Sequence, residues 1–226
     1  MIKAGIDQDA LIDMFAKASA QQGEALRKAV SEATLKALQG RELTVANIRN
    51  VLKAVTQAAS SGAAKNGLPA VDLEVMLAKA FDGMDAALLK AVQAQRAALQ
   101  QFVDQGVELN NRQMKSALAN LEKMEDVFFS TVGKAAESAG GALQGPWEQV
   151  LESMKLKGTG TGQQAKTSID ALMSQAQSAL REGRSAGLRG AQAMMDSYAA
   201  LVSGVLIGMS EGLQSSKPAA KSRGAK

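Results

Sequence analysis

The chain contains few residues that could carry acid–base or metal chemistry. It has no histidine and no cysteine, which excludes Ser-His-Asp triads, Cys-His pairs and zinc sites built from those ligands. The nearest approach to a catalytic carboxylate group is Glu122, Glu125 and Asp126, which a helix would place near one another. They lie among Lys123 and other polar residues, so the pattern predicts a solvated helix face. We therefore expect no catalytic residue and no metal site.

A glycine-rich segment at 158–162 (GTGTG) has the composition of a phosphate-binding loop. It lacks the preceding strand and the following Lys-Ser or Lys-Thr pair that such loops require. We expect a flexible linker here. The chain should bind no nucleotide or other cofactor, and no small-molecule substrate.

The C-terminal tail is basic, through Lys217, Lys221, Arg223 and Lys226. An extended cationic tail can neutralise nucleic-acid phosphates without reading sequence. No aromatic residue lies among these charges to stack on bases. The composition predicts a disordered, solvated tail at 215–226, and contact of these side chains with nucleic acid or another anion is the alternative.

Two of three glycines spaced four residues apart, Gly204 and Gly208, lie within an apolar run at 199–209, and the third, Gly212, follows it. Small residues at this spacing allow two helix backbones to approach closely. A bilayer span needs about 20 apolar residues, and this run is about half that length. We expect close helix packing at these glycines, with insertion into a membrane or granule as the alternative.

The remaining elements follow from composition. Hydrophobic residues make up 46% of the chain but aromatic residues only 3%, and Ala, Leu, Gln, Lys and Glu all favour helices. Large aromatic side chains supply much of the buried area in a globular core. The sequence therefore predicts an all-α protein with a thin core, whose long amphipathic helices form an elongated coiled coil or a loose helical bundle.

Breaker residues divide the chain into predicted regions. These are an N-terminal helical region at 1–69, a long central amphipathic or coiled-coil helix at 70–139, a glycine-rich linker with a short helix at 140–162, a C-terminal amphipathic helix at 163–214 and the tail at 215–226. In the first region we expect one helix from Asp7 to Leu38, ended by Gly40. A second helix should start at Thr44 and break at 60–62 (SSG) and 66–69 (NGLP).

The central region carries an apolar stripe with heptad-like spacing, which changes register near Gly106. The pattern leaves open whether the helix is continuous there. Contact with an apolar surface or a partner helix is expected for the following side chains in the stripe and in the C-terminal half: Leu88, Val92, Leu99, Phe102, Met114, Leu118, Leu121, Phe128, Trp147, Leu201, Val205 and Leu206.

The chain resembles the phasins, small helical proteins that coat bacterial polyhydroxyalkanoate granules. The likeness lies in long helices rich in Ala, Gln and Lys without Cys, in the opening at 146–148 (PWE) after a Gly/Ala linker, and in the ending at 217–221 (KPAAK). The resemblance implies an amphipathic coat that oligomerises through its coiled-coil segment and has no catalytic residues. Some phasins bind DNA through long Ala-Lys-Pro tails, whereas this chain has a single short copy.

These features together predict a cytoplasmic, non-enzymatic coat protein that lays amphipathic helices on a hydrophobic granule or lipid-like surface and forms homo-oligomers. Asp7 and Asp9 interrupt the N-terminus before any apolar run of signal-peptide length. The first alternative is a soluble, self-associating coiled-coil adaptor or scaffold. The second is a membrane-associated helical protein.

Overall fold

A computed structural model describes residues 7–18, 22–39, 43–66, 69–108, 111–181, 198, 201–202 and 204–208. Every regular element in these ranges is helical, which confirms the all-α prediction. The elements are α1 (Gln8–Lys17), α2 (Gly23–Leu38), α3 (Val45–Asn66), α4 (Ala70–Asp104), α5 (Arg112–Glu122), α6 (Met124–Glu137), a 3₁₀ turn (Gly141–Leu143), α7 (Gln144–Lys157) and α8 (Gly160–Arg181). Helical residues recur at 198, 201–202 and 204–208.

The helices form a bundle around α4, which has 35 residues and a length of about 50 Å. α2 and α8 make the most extensive contacts with α4, and α7 and α3 also pack against it. α1 and α6 lie on α3, while α5 lies against α8. Of the two predicted architectures, the described helices form the bundle and show no elongated coiled coil.

The central region at 70–139 consists of α4, α5 and α6. The sequence left open whether the helix is continuous here, and the structure shows a break after α4, at Gly106. This glycine has φ +84°, its N–H donates to Val103 O at 3.0 Å, and the N–H of Val107 donates to Phe102 O at 2.9 Å. The two bonds form a Schellman motif, which satisfies the last carbonyls of a helix. Asn111 then starts α5 by accepting the N–H of Gln113 at 2.9 Å, so the change of register marks a real break.

The predicted helix from Asp7 to Leu38 is also divided. Asp7 caps α1, since its Oδ1 accepts the N–H of Ala10 at 3.0 Å. α1 stops at Ala18, whose ψ of 144° is extended. The Asn66 amide at the end of α3 donates to Phe15 O at 2.6 Å and to Ala18 O at 2.8 Å. A residue distant in sequence thus satisfies the carbonyls that end α1.

The expected break at 60–62 does not occur, because α3 continues to Asn66. Ser60 is buried in the helix, and its hydroxyl donates to Thr56 O at 2.9 Å. Gly62 lies where α1 crosses α3, and a Cβ there would collide with Ile12 O and Phe15 Cβ. Glycine is required at this position for close approach of two helices rather than for a turn.

The prediction of a thin core fails as well. The rings of Phe15, Phe81, Phe102, Phe128 and Trp147 are at most 1% exposed. Phe81 stacks on Phe128 with ring centroids 4.4 Å apart. The few aromatic residues are concentrated in the interior, and buried alanines let the helices pack closely around them.

Candidate functional site

The carboxylates that could have formed a catalytic pair lie on two helices, Glu122 at the end of α5 and Glu125 and Asp126 at the start of α6. Glu122 and Asp126 are exposed, as predicted for a solvated face, but Glu125 is half-buried. Among the described residues, no group of three or more acidic side chains is placed to hold a metal ion. The predicted solvated face is therefore wrong for Glu125.

Glu125 holds the glycine-rich segment that was predicted to be a flexible linker. Its Oε1 accepts the hydroxyl of Thr159 at 2.7 Å and the N–H of Thr159 at 3.1 Å. Thr159 also caps α8, because its hydroxyl accepts the N–H of Gly162 at 2.9 Å. A Cβ at Gly162 would collide with the Glu125 carboxylate. This part of the linker prediction is corrected to a docked helix N-terminus.

Asp85 on α4 holds the next residues of the same segment. Its two carboxylate oxygens accept the N–H of Gly160 at 2.9 Å and the N–H of Thr161 at 3.0 Å. The Thr161 hydroxyl donates to the backbone oxygen of Asp85 at 3.1 Å. Negative charge at a helix N-terminus is favourable because free N–H groups point outward there. Asp85 and Glu125 with residues 159–161 form what we call the α8 latch.

A charged cluster lies beside the α8 latch on α2 and α4. The Glu24 carboxylate accepts hydrogen bonds from Lys79 Nζ at 2.6 Å and from Arg27 Nε at 2.9 Å. These bonds lower the pKa of Glu24 below its ordinary value. Burial raises the pKa of the nearby Asp82 carboxyl, and the negative charge of Asp85 adds to that effect while Lys79 opposes it. The cluster ties α2 to α4 through the Glu24–Lys79 ion pair.

The stripe side chains lie inside the bundle, in contact with helices of the same chain. Those that are fully buried are Leu88, Val92, Leu99, Phe102, Met114, Leu121, Phe128, Trp147 and Leu206. Leu118, Leu201 and Val205 are partly buried against the same core. In this bundle each apolar stripe therefore packs against other helices of the same chain.

The glycines predicted to mediate close helix packing do not do so within the described bundle. Gly204 and Gly208 are exposed, and a Cβ added to either would meet no atom within 4 Å. Gly212 and the basic side chains of the tail, Lys217, Lys221, Arg223 and Lys226, lie outside the described residues. Two other glycines, Gly62 and Gly83, allow close approach of helices instead. A Cβ at Gly83 would lie 2.9 Å from Val30 Cβ.

A groove of about 620 Å³ lies between α5 and α8. Its apolar lining consists of Leu118, Ala119, Leu121, Ala165, Ile169 and Met173. Met173 is 47% exposed, and Leu118 and Ile169 are only partly buried. The charged side chains that also line the groove are Lys115, Glu122, Glu125, Lys166 and Asp170. The α5–α8 groove leaves apolar faces of two amphipathic helices accessible.

α5 covers a buried polar side chain on α4. Gln95 is 0% exposed, and its Nε2 donates to the Ala117 backbone oxygen of α5 at 3.1 Å. Among the described residues, Gln95 Oε1 has no hydrogen-bond partner. Gln95 has the spacing of the apolar stripe, because it lies three residues after Val92 and four before Leu99, but this spacing does not show which helix covers it.

No helix in the described ranges combines the length and the apolar character needed to cross a bilayer. A family model described as a family of unknown function, DUF6781, matches residues 1–215. The chain belongs to this family. No curated protein and no solved structure matches it. The family match covers every described helix of the bundle. The phasin resemblance stays a prediction.

Proposed function

We propose that the protein is a non-catalytic structural protein that binds an apolar surface, such as a polyester storage granule or a lipid-like particle. The α5–α8 groove is the observation that carries this proposal. It leaves Met173, Leu118 and Ile169 partly uncovered on adjoining amphipathic helices. Contiguous accessible apolar surface rimmed by polar groups is typical of interaction sites.

Binding begins at the α5–α8 groove and proceeds by opening of the bundle. The buried faces consist mainly of aliphatic and alanine side chains on amphipathic helices, with the few aromatic rings among them. In water, exposing such faces costs about 25 cal/mol for each Å² of apolar area. An apolar particle removes most of that cost, because the helix faces exchange one apolar contact for another. The chain has no cysteine, so no disulfide opposes the opening.

Flotation with polyester particles or phospholipid vesicles tests the proposal. The purified protein should float with the particles, and the emission of its single tryptophan should change as Trp147 leaves the core. Met173→Glu places a charge in the α5–α8 groove and should weaken binding on the order of tenfold, since burial of such a side chain contributes about 1.5–3 kcal/mol. Failure of the unmodified protein to float would refute the proposal.

Leu156→Glu is the matched control for the groove variant. Leu156 lies on α7, is 90% exposed and does not line the groove. The substitution makes the same change of charge with little effect on packing. It should leave binding unchanged, and an equal loss in both variants would mean that the groove is not the contact.

A self-associating scaffold is the second candidate. One helix face presents Gly204, Gly208 and the 44% exposed Ile207, and a second copy could approach closely there. Light scattering distinguishes this candidate, because it requires an oligomer that dissociates when Gly208→Leu makes the face bulky. A monomer at all concentrations would exclude it.

A further inference from the structure

α5 is separated from α4 by a break in the helical chain and from α6 by a single residue. The Schellman motif at Gly106 separates it from α4. At its other end, Lys123 is the only residue between α5 and α6, with φ −86° and ψ 0°. The N–H of Lys123 donates to Ala119 O at 3.3 Å, and Lys123 O accepts the N–H of Val127 at 2.9 Å. Movement of α5 therefore requires rotation at Gly106 and the loss of these two bonds, as in hinges at element termini.

α5 is held to the bundle by few contacts. Its buried side chains are Met114, Ala117 and Leu121. The ion pairs found among the described residues lie on α1, α2 and α4 and do not involve α5. A segment with few buried apolar side chains is expected to open at lower free energy than the whole fold.

Gln95 beneath α5 favours its release. While α5 is in place, Gln95 donates to Ala117 O at 3.1 Å, but its Oε1 is unpaired among the described residues. A buried acceptor without a partner destabilises the closed arrangement. Movement of α5 would admit water to the Gln95 amide and satisfy both of its polar atoms.

The outer side of α5 indicates what the released helix binds. Arg112 and Lys115 are exposed there, with Glu122 as the exposed acid, and the exposed Lys123 follows directly after the helix. The opposite side carries Met114, Ala117 and Leu121. A helix with an apolar face and an excess of cations lies at the interface of anionic lipid and water.

We propose that α5 is a detachable lid whose buried face binds an anionic phospholipid surface after it lifts from α4. This inference rests on the proposed function and names its first step and its partner. Release of α5 exposes the faces of α4 and α8 that adjoin the α5–α8 groove, so the lid and the groove open together.

Hydrogen exchange of the full chain without particles tests the lid. Amides of 112–122 should exchange faster than those of α4, and Gln95→Met should slow them on the order of tenfold by removing the unpaired acceptor. Gln95→Glu, which turns a carboxylate toward Ala117 O, should speed them. Exchange of α5 at the same rate as α4 in every variant would overturn the lid.

Thr34→Val is the matched control for this experiment. Thr34 lies on α2, is 0% exposed and carries another buried hydroxyl without a partner among the described residues. Its replacement also relieves an unpaired buried atom, but away from α5. It should leave exchange at 112–122 unchanged, and equal slowing by both variants would show that α5 opens only with the whole bundle.

A fluorophore on Ser116→Cys tests the partner. Ser116 is exposed on α5, and the introduced thiol would be the only one in the chain. The probe emission should shift with phosphatidylglycerol vesicles and not with phosphatidylcholine vesicles. Lys115→Glu should weaken binding on the order of tenfold, since each basic residue near an anionic surface contributes about 1 kcal/mol. Lys53→Glu, an equal change of charge on an exposed position of α3, should not.

The outcomes separate this inference from the proposed function. The lid would be overturned if the protein bound vesicles without a probe shift and if Gln95→Met bound them with the same affinity as the unmodified chain. The proposed function would still stand in that case. Binding to neutral and anionic vesicles alike would overturn the choice of partner. No binding to vesicles or polyester particles would overturn both proposals, whatever the exchange of α5.

Discussion

The indole N–H of Trp147 on α7 donates a hydrogen bond to the hydroxyl of Ser60 on α3 across 3.0 Å of the buried interior. Ser60 in turn donates to Thr56 O at 2.9 Å. Ser60 is therefore both acceptor and donor at a point where two helices meet. Ser60 lies in a segment whose composition predicts a turn. Its hydroxyl instead accepts the hydrogen bond of the indole N–H of Trp147, the largest side chain of the core.

Ser60→Ala should destabilise the fold by about 1–3 kcal/mol, because it leaves the buried indole N–H without a partner. Urea denaturation measures the effect. Ser61→Ala is the control, since Ser61 is exposed on the same helix and should change stability by less than about 0.5 kcal/mol. In a cycle with Trp147→Phe the two losses should not add. Additive losses would contradict the bond.

Gly62→Ala and Gly83→Ala should each destabilise the fold by about 1–3 kcal/mol, because the new methyl group collides with a crossing helix. Gly133→Ala is a matched control in the interior of α6, where a Cβ would meet Leu151 Cδ1 at an ordinary 3.8 Å. That variant should gain about 0.5–1 kcal/mol from helix propensity. Thermal unfolding of the three proteins would show opposite signs.

Asp85→Asn should weaken the α8 latch, since an amide cannot accept both N–H groups that the carboxylate accepts. The expected loss is about 1–2 kcal/mol for charge-assisted hydrogen bonds. Hydrogen exchange should rise first in the opening turn of α8. Glu122→Gln, at the exposed end of α5, should leave that turn unchanged, and equal protection in both variants would argue against the latch.

Asp82→Asn should stabilise the fold at neutral pH. Burial raises the pKa of Asp82 in the folded protein above the ordinary 3.8, so the folded state binds more protons than the unfolded state between the two values. Stability therefore falls as pH rises through that window, and the penalty persists above it. The gain from Asp82→Asn should disappear below about pH 3.8.

Glu24→Gln should show the opposite dependence. Hydrogen bonds from Lys79 and Arg27 lower the pKa of Glu24 in the folded protein, so its contribution is present above the unfolded pKa. It is lost as pH falls through the folded value. Urea midpoints of both variants and of the unmodified chain at several pH values check the two signs, and parallel pH profiles of the three proteins would contradict them.

The helical content could be predicted because it depends on local composition. The cap at Asp7 and the change of register at Gly106 are also local signals, and both correspond to real helix ends. The sequence could have indicated the Schellman motif, since a glycine followed by an apolar residue is its usual pattern. The heptad-like spacing instead places Gly106 within the apolar stripe, four residues after Phe102.

The errors concern residues whose partners are distant in sequence. Gly62 and Gly158–Gly162 have the composition of breakers, yet their roles depend on a crossing helix and on Asp85 and Glu125. No periodicity within a segment can show such partners. The burial of the stripes likewise depends on how many helices of the same chain surround α4, which the pattern of a single helix does not contain.

The central position of α4 has a consequence for synthesis of the chain. α4 leaves the ribosome before α7 and α8 have been made, although both pack against it. The apolar face of α4 that α7 and α8 cover therefore remains exposed to water during part of translation. Exposed hydrophobic surface promotes aggregation. Nascent chains stalled between α4 and α7 should accordingly be the ones that chaperones capture most readily.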